Sequence, residues 1–141
     1  MIVINKYDMI SRMAEKPKTI LIVEDDKLIL DVLRKKFEIE GYIVVTAGDV
    51  HSGLEVIKAQ RVDLVLLDIL LPGGANGFVL LGDIKQNEEF KKIPVVILSN
   101  FSEKQDIEKG LRLGAVDFLV KANNTPNKIV ERVEQVLASK Q

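Results

Sequence analysis

Cysteine and tryptophan are missing from this chain of 141 residues, and histidine occurs once. Without cysteine there are no disulfides and no thiolate metal sites, and a reducing compartment suits the chain. His51 falls on a predicted helix with no acidic neighbour. It reads as a surface histidine, so neither histidine-based catalysis nor a zinc site is expected. Aromatic residues make up 5% of the chain, too few for a platform that stacks single-stranded nucleic acid. Excess charge is also lacking. The 20 basic and 21 acidic residues leave a net charge of -1, so no basic field draws nucleic acid. No apolar run approaches the roughly 20 residues of a membrane span. Met1-Ile2-Val3-Ile4 is too short for a signal-peptide core, and no small-residue cleavage site follows it. The protein is expected to be cytoplasmic, with no membrane partner and no direct contact with nucleic acid.

What is present is a globular composition, 47% hydrophobic and 29% charged. A chain of this length suits one domain and buries roughly 70% of its unfolded surface. Four short apolar runs stop on chemically active residues. Ile20-Leu21-Ile22-Val23 runs into Glu24-Asp25-Asp26, and Val62-Asp63-Leu64-Val65-Leu66-Leu67 into Asp68. Val95-Val96-Ile97-Leu98 ends on Ser99, and Phe118-Leu119-Val120 on Lys121. Short β-branched-rich runs of this kind are strands buried on both faces of a parallel sheet.

Between them lie helical patterns. The first, near 27–40, places Leu28, Ile29, Val32, Leu33, Phe37 and Ile39 largely on one face and stops at Gly41. A second strand near 43–47 precedes a helix near 50–60, with Asp49 as N-cap and Leu54, Val56 and Ile57 as core candidates. Gly53 weakens that helix by up to ~1 kcal/mol. A loop, Pro72-Gly73-Gly74-Ala75-Asn76-Gly77, leads to a helix near 78–87. Its glycines lack the spacing of a P-loop or a dinucleotide fingerprint, so it reads as a flexible site loop. Ser102-Glu103-Lys104-Gln105 has capping-box spacing for a fourth helix. Thr125-Pro126 opens the last helix, which turns Ile129, Val130, Val133, Val136 and Leu137 inward. Residues 1–18 show no clear period and read as a tail or a short docking segment; the domain occupies 19–141.

Five alternating strand–helix units predict a flavodoxin-like, doubly wound parallel sheet of order 2-1-3-4-5 with five helices. In that order the binding crevice lies beyond the carboxyl ends of strands one and three, where Glu24, Asp25 and Asp68 are found. Crowded carboxylates repel unless a cation neutralises them, and magnesium prefers oxygen ligands. Two or three of these carboxylates plus the backbone carbonyl of Leu70 would suit it. Lys121 offers a point charge and Ser99 a hydroxyl for a phosphate oxygen. Taken singly, each of these residues is an ordinary cap or surface group. Their shared sheet edge is what makes them a candidate site.

In this order and spacing the residues resemble the receiver domain of two-component response regulators, from about Thr19 to Gln141. The resemblance implies that Asp68 is the phosphoacceptor, fed by a sensor histidine kinase or phosphotransfer protein. It implies Mg2+ at Asp25, Asp68 and the Leu70 carbonyl, with Glu24 acting through water. Lys121 and Ser99 then contact the phosphoryl group, while Ser99 and Phe118 switch the face formed by the fourth helix, fifth strand and fifth helix. A stand-alone, chemotaxis-receiver-like protein is expected, monomeric or dimerising on phosphorylation, with no output domain and no catalytic product beyond its own modification. The downstream target is not legible. Three departures from the family pattern stand out. The loop before Gly77 is one residue longer, Ala122 replaces a proline, and Asn100 replaces a smaller residue, which is expected to slow phosphoryl entry. Leu70 and Phe101 flank the site with apolar groups, which suggests slow hydrolysis. Two alternatives remain at this stage: a haloacid-dehalogenase-type enzyme, although Leu70 stands where its second aspartate belongs, and a degenerate receiver serving as a docking scaffold.

Overall fold

In the computed structural model, residues 5–14 and 16–139 are described. The element order is α1 (Lys6–Ala14), β1 (Thr19–Val23), α2 (Lys27–Ile39), β2 (Ile43–Ala47), α3 (Val50–Ala59) and β3 (Leu64–Leu67). It continues with α4 (Gly77–Gln86), β4 (Val95–Ser99), α5 (Lys104–Arg112), β5 (Asp117–Val120), a 3-10 turn (Lys121–Asn123) and α6 (Pro126–Ser139). The five strands pair in parallel in the order β2-β1-β3-β4-β5. This is the flavodoxin-like doubly wound sheet the alternation predicts.

Strand periodicity explains why the apolar runs are continuous. Successive side chains point to opposite faces, and helices cover both. Leu21, Val23, Val65, Leu67, Val95 and Ile97 pack toward α3 and α4 with Ile57, Leu81 and Ile84. Ile20, Ile22, Leu64, Leu66, Val96 and Leu98 pack on the other face with Leu33 and Phe37 of α2 and Ile129, Val133 and Leu137 of α6.

Several expectations need correction. A sixth helix, α1, adds to the expected five and forms within the stretch read as a tail or a short docking segment; Asn5 caps it, its Oδ1 accepting the Asp8 N–H at 2.8 Å. Residues 1–4 and 15 of that stretch lie outside the described residues. In α2 only Leu33 and Phe37 are buried, whereas Leu28 and Ile39 are about four-fifths exposed (80% and 81%). A helix lying on a sheet buries one stripe, so a broad apolar face outruns the surface available to cover it. Leu28 and Val32 instead line a groove of about 290 Å³ with Leu98, Pro126 and Ile129 beside Lys121. The cap of α5 is Glu103 rather than Ser102, with Asp106 reaching back to the Glu103 N–H at 3.1 Å. Ser102 donates to the Asn100 carbonyl instead, at 3.3 Å. Gly53 permits a close approach, because a Cβ there would lie 3.1 Å from Leu80 Cδ2. Asp49 and Thr125 accept helix N–H groups as expected, from Ser52 at 2.7 Å and from Lys128 at 3.3 Å. No helix among the described residues is long and apolar enough to cross a membrane.

Candidate phosphoryl and metal site

Sheet register, more than side-chain reach, assembles the site. Ile20 pairs with Leu64 and Val23 with Leu67, so the next residues along each strand, Glu24 and Asp68, emerge side by side. Pairing continues past the strand ends: Glu24 N–H donates to the Ala47 carbonyl at 2.9 Å and Asp68 N–H to the Val23 carbonyl at 3.0 Å. Across the sheet Ser99 pairs with Val120, which brings Lys121 in beyond the same edge. Glu24, Asp68 and Ser99 are all buried.

The Lys121 ammonium lies between two carboxylates, 2.8 Å from Asp68 Oδ2 and 2.5 Å from Glu24 Oε1. Glu24 Oε1 is buried, and the Lys121 ammonium is the cation it meets. On its far side Asp68 Oδ1 accepts the Ile69 N–H at 2.7 Å and the Leu70 N–H at 3.3 Å. Glu24 Oε2 accepts the Asp25 N–H at 3.1 Å. One oxygen from each of Glu24, Asp25 and Asp68 lies within 4.8 Å of the others.

Two acids share one cation here, and their protonation divides accordingly. Burial pushes the Glu24 carboxyl up to about 7, and the Asp68 carboxylate adds to the rise while Lys121 opposes it. Burial also works to raise Asp68, but hydrogen bonds from Lys121, Glu24 and Ser99 outweigh it and hold Asp68 below the usual carboxylate range. Burial works to lower Lys121, but its bonds to Asp68 and Glu24 prevail and keep it charged. Asp68 is thus the more readily ionised of the two acids, and a cation beside them would favour the charged form of both. A clustered donor set of three carboxylates, all oxygen, fits a hard divalent ion.

Sequence reasoning missed two supports of this site. Gly77 opens α4 directly beneath Asp68; its N–H donates to the Ile69 carbonyl at 2.8 Å, and a Cβ there would collide with the Asp68 carbonyl oxygen. The glycine-rich loop is therefore pinned at its end, with Asn76 capping α4 by accepting the Phe78 N–H at 2.9 Å. The signal was present, since a glycine closing a strand-to-helix loop often marks a close backbone approach. The second is Gly110 of α5, where a Cβ would meet Ile97 Cδ1 at 2.6 Å and Phe118 Cδ2 at 3.2 Å. Phe118 itself is buried in the core. His51 is exposed, as expected. The Lys121–Ala122 bond is trans, since no cis peptide occurs among the described residues.

Comparison with known proteins agrees with this fold. A family profile for the response regulator receiver domain matches residues 20–134. The phosphate regulon transcriptional regulatory protein PhoB of Pseudomonas aeruginosa is 34% identical over 120 residues, covering 85% of this chain and 52% of that protein. The chain therefore spans about half the length of such curated relatives. The CheY-like receiver domain protein of Methanospirillum hungatei superposes with a TM-score of 0.81 at 28% identity, over 89% of this chain and 97% of that one. The BeF3-activated receiver domain of Klebsiella pneumoniae RstA superposes with a TM-score of 0.77 at 28% identity, over 85% and 98% respectively. With its sheet order, its acidic strand ends and a family match over most of its length, the chain belongs to the response regulator receiver domain family of two-component signalling.

Proposed function

We propose that this domain is a phosphoacceptor switch in which Asp68 takes a phosphoryl group from a histidine kinase or phosphotransfer partner. The observation that carries this reading is the Lys121 ammonium held between Asp68 and Glu24 at the joined ends of β1 and β3. An Asp68 oxygen forms a bond to phosphorus as the donor's P–N bond breaks, and the electron pair leaves with the imidazole nitrogen. Lys121 then pairs with a phosphoryl oxygen in place of Glu24. Such transfer depends on positioning and electrostatics more than on covalent chemistry by other groups. Asp25, Asp68 and the Leu70 carbonyl would hold magnesium, with Glu24 acting through water; the bound ion supplies neutralisation of the charge on the transferring group.

Ser99 follows the new phosphoryl oxygens, and Phe118 reports that state to the face made by α5, β5 and α6. Receiver domains are signalling domains rather than classical enzymes; here the only chemistry is the chain's own phosphorylation and dephosphorylation. Exposed Leu70 and Phe101 follow Asp68 and Ser99 by two residues each, which favours a long-lived phosphoryl state; a half-life of seconds in a phosphate-release assay would refute that point. The test of the whole reading is incubation with magnesium and acetyl phosphate, followed by intact mass. One phosphoryl per chain, absent in Asp68→Asn, is expected. Turnover without a stable adduct would instead indicate a hydrolase, and no modification a docking scaffold.

A further inference from the structure

Two residues that contribute no ligand to the site are joined directly across it. Asn100 follows Ser99 and Ala122 follows Lys121. Asn100 Oδ1 accepts the Ala122 N–H at 2.9 Å, linking the loop after β4 to the 3-10 turn after β5. Only a residue with a backbone N–H can donate this bond, and a proline at 122 would abolish it. Each partner is braced further. Phe101 N–H donates to Ser99 Oγ at 3.1 Å on the loop side. Asn124 Nδ2 donates to the Val120 carbonyl at 2.9 Å on the turn side. The backbone segments that deliver Ser99 and Lys121 therefore form one braced unit around Asp68.

We propose that Asn100 is a positioning residue for Asp68 phosphorylation, its bond to Ala122 holding the hydroxyl of Ser99 and the ammonium of Lys121 at a fixed separation. The inference rests on Asp68 being the phosphoacceptor. Preorganised donors stabilise a transferring group best when nothing must rearrange as charge develops. Without the link, two solvent-facing loops relax independently and the productive geometry is sampled less often. Because the link also couples motion, any inward shift of Ser99 carries the Lys121 turn with it. This role is opposite in sign to that of a bulky gate: loss of a gate speeds phosphorylation, whereas loss of a brace slows it.

The experiment measures Asp68 phosphorylation by acetyl phosphate with magnesium, over a range of donor concentrations. It compares the full chain with Asn100→Ala and Asn100→Asp, at high salt to screen the added charge. A single neutral hydrogen bond makes a modest contribution, so Asn100→Ala is expected to lower the maximal rate about five-fold with little change in half-saturation. Asn100→Asp keeps the acceptor oxygen and is expected to stay within about two-fold of the parent chain. Hydrogen exchange of the Ala122 amide, measured without phosphodonor, should be slow in the parent and Asp variants and fast in the Ala variant. An Asn100→Ala chain that reacts as fast as the parent or faster overturns the proposal, as does an unprotected Ala122 amide in the parent. If the parent chain itself takes no phosphoryl group, the phosphoacceptor reading falls and the positioning role falls with it, while the exchange data still report whether the bond exists.

Discussion

The two ends of β3 carry the same side chain in opposite circumstances. At the start of the strand, Asp63 accepts the Thr19 N–H at 2.8 Å and pairs with Arg61 at 3.1 Å. Arg61 is 83% exposed and Asp63 15%, so that pair is one acid with one cation, its guanidinium in water. At the other end, Asp68 and Glu24 share Lys121, with side chains 7%, 4% and 15% exposed. The first arrangement is satisfied and inert. The second gathers two buried carboxylates around one ammonium, a setting that a further cation would stabilise. Charge balance and burial set these two carboxylates apart; residue type does not.

Four measurements would break or sharpen that contrast. The largest effect separates the two aspartates directly: Asp68→Asn should abolish modification by acetyl phosphate, while Asp63→Asn should retain it and lose only about 1 kcal/mol of stability, one amide oxygen replacing the two that accept from Thr19 and Arg61. Intact mass and urea unfolding read both. Next, Gly77→Ala should destabilise the fold by about 3 kcal/mol, because its Cβ collides with the Asp68 carbonyl and the backbone must shift. Modification of Asp68 should fall with it.

The third measurement uses pH. Glu24 binds its proton more tightly in the fold, at about 7, than at its ordinary value of 4.5. The folded state thus holds more protons than the unfolded one between those values, and the Glu24 contribution makes metal-free stability fall as pH rises through that window. Asp68 is shifted downward, so its contribution is present above the ordinary 3.8 and lost only in stronger acid. Denaturant titrations of the parent chain and Glu24→Gln should differ in slope between pH 4.5 and 7, by on the order of 3 kcal/mol in total, and agree on either side. Equal slopes would remove the tighter proton binding of Glu24 in the fold. The smallest effect belongs to the open pair: Arg61→Ala should cost under about 1 kcal/mol and leave phosphorylation untouched.

Much of this was legible beforehand, for identifiable reasons. Fully buried strands must be apolar on both faces, so Ile20–Val23 and Val95–Leu98 announced themselves, and the residues ending each run were then candidates for one edge. The inward stripe of α6 was equally clear, with Ile129, Val133 and Leu137 all buried. Leu28 and Ile39 were misread because periodicity gives the direction of an apolar face, while its useful width depends on what lies opposite. The α5 cap moved to Glu103 because the Ser102 hydroxyl donates to the Asn100 carbonyl. The helix at 6–14 carried no clear period, and its cap is a lone asparagine.

From the sequence alone came the parallel strands, their order and the gathering of Glu24, Asp25, Asp68, Ser99 and Lys121 at one edge, because alternation and burial are local patterns written along the chain. Only the folded structure could decide how two acids divide one lysine, that Gly77 leaves no room beneath Asp68, and that Asn100 reaches Ala122. Those depend on distances between segments far apart in the chain, and such distances arise only when the sheet register brings the segments together.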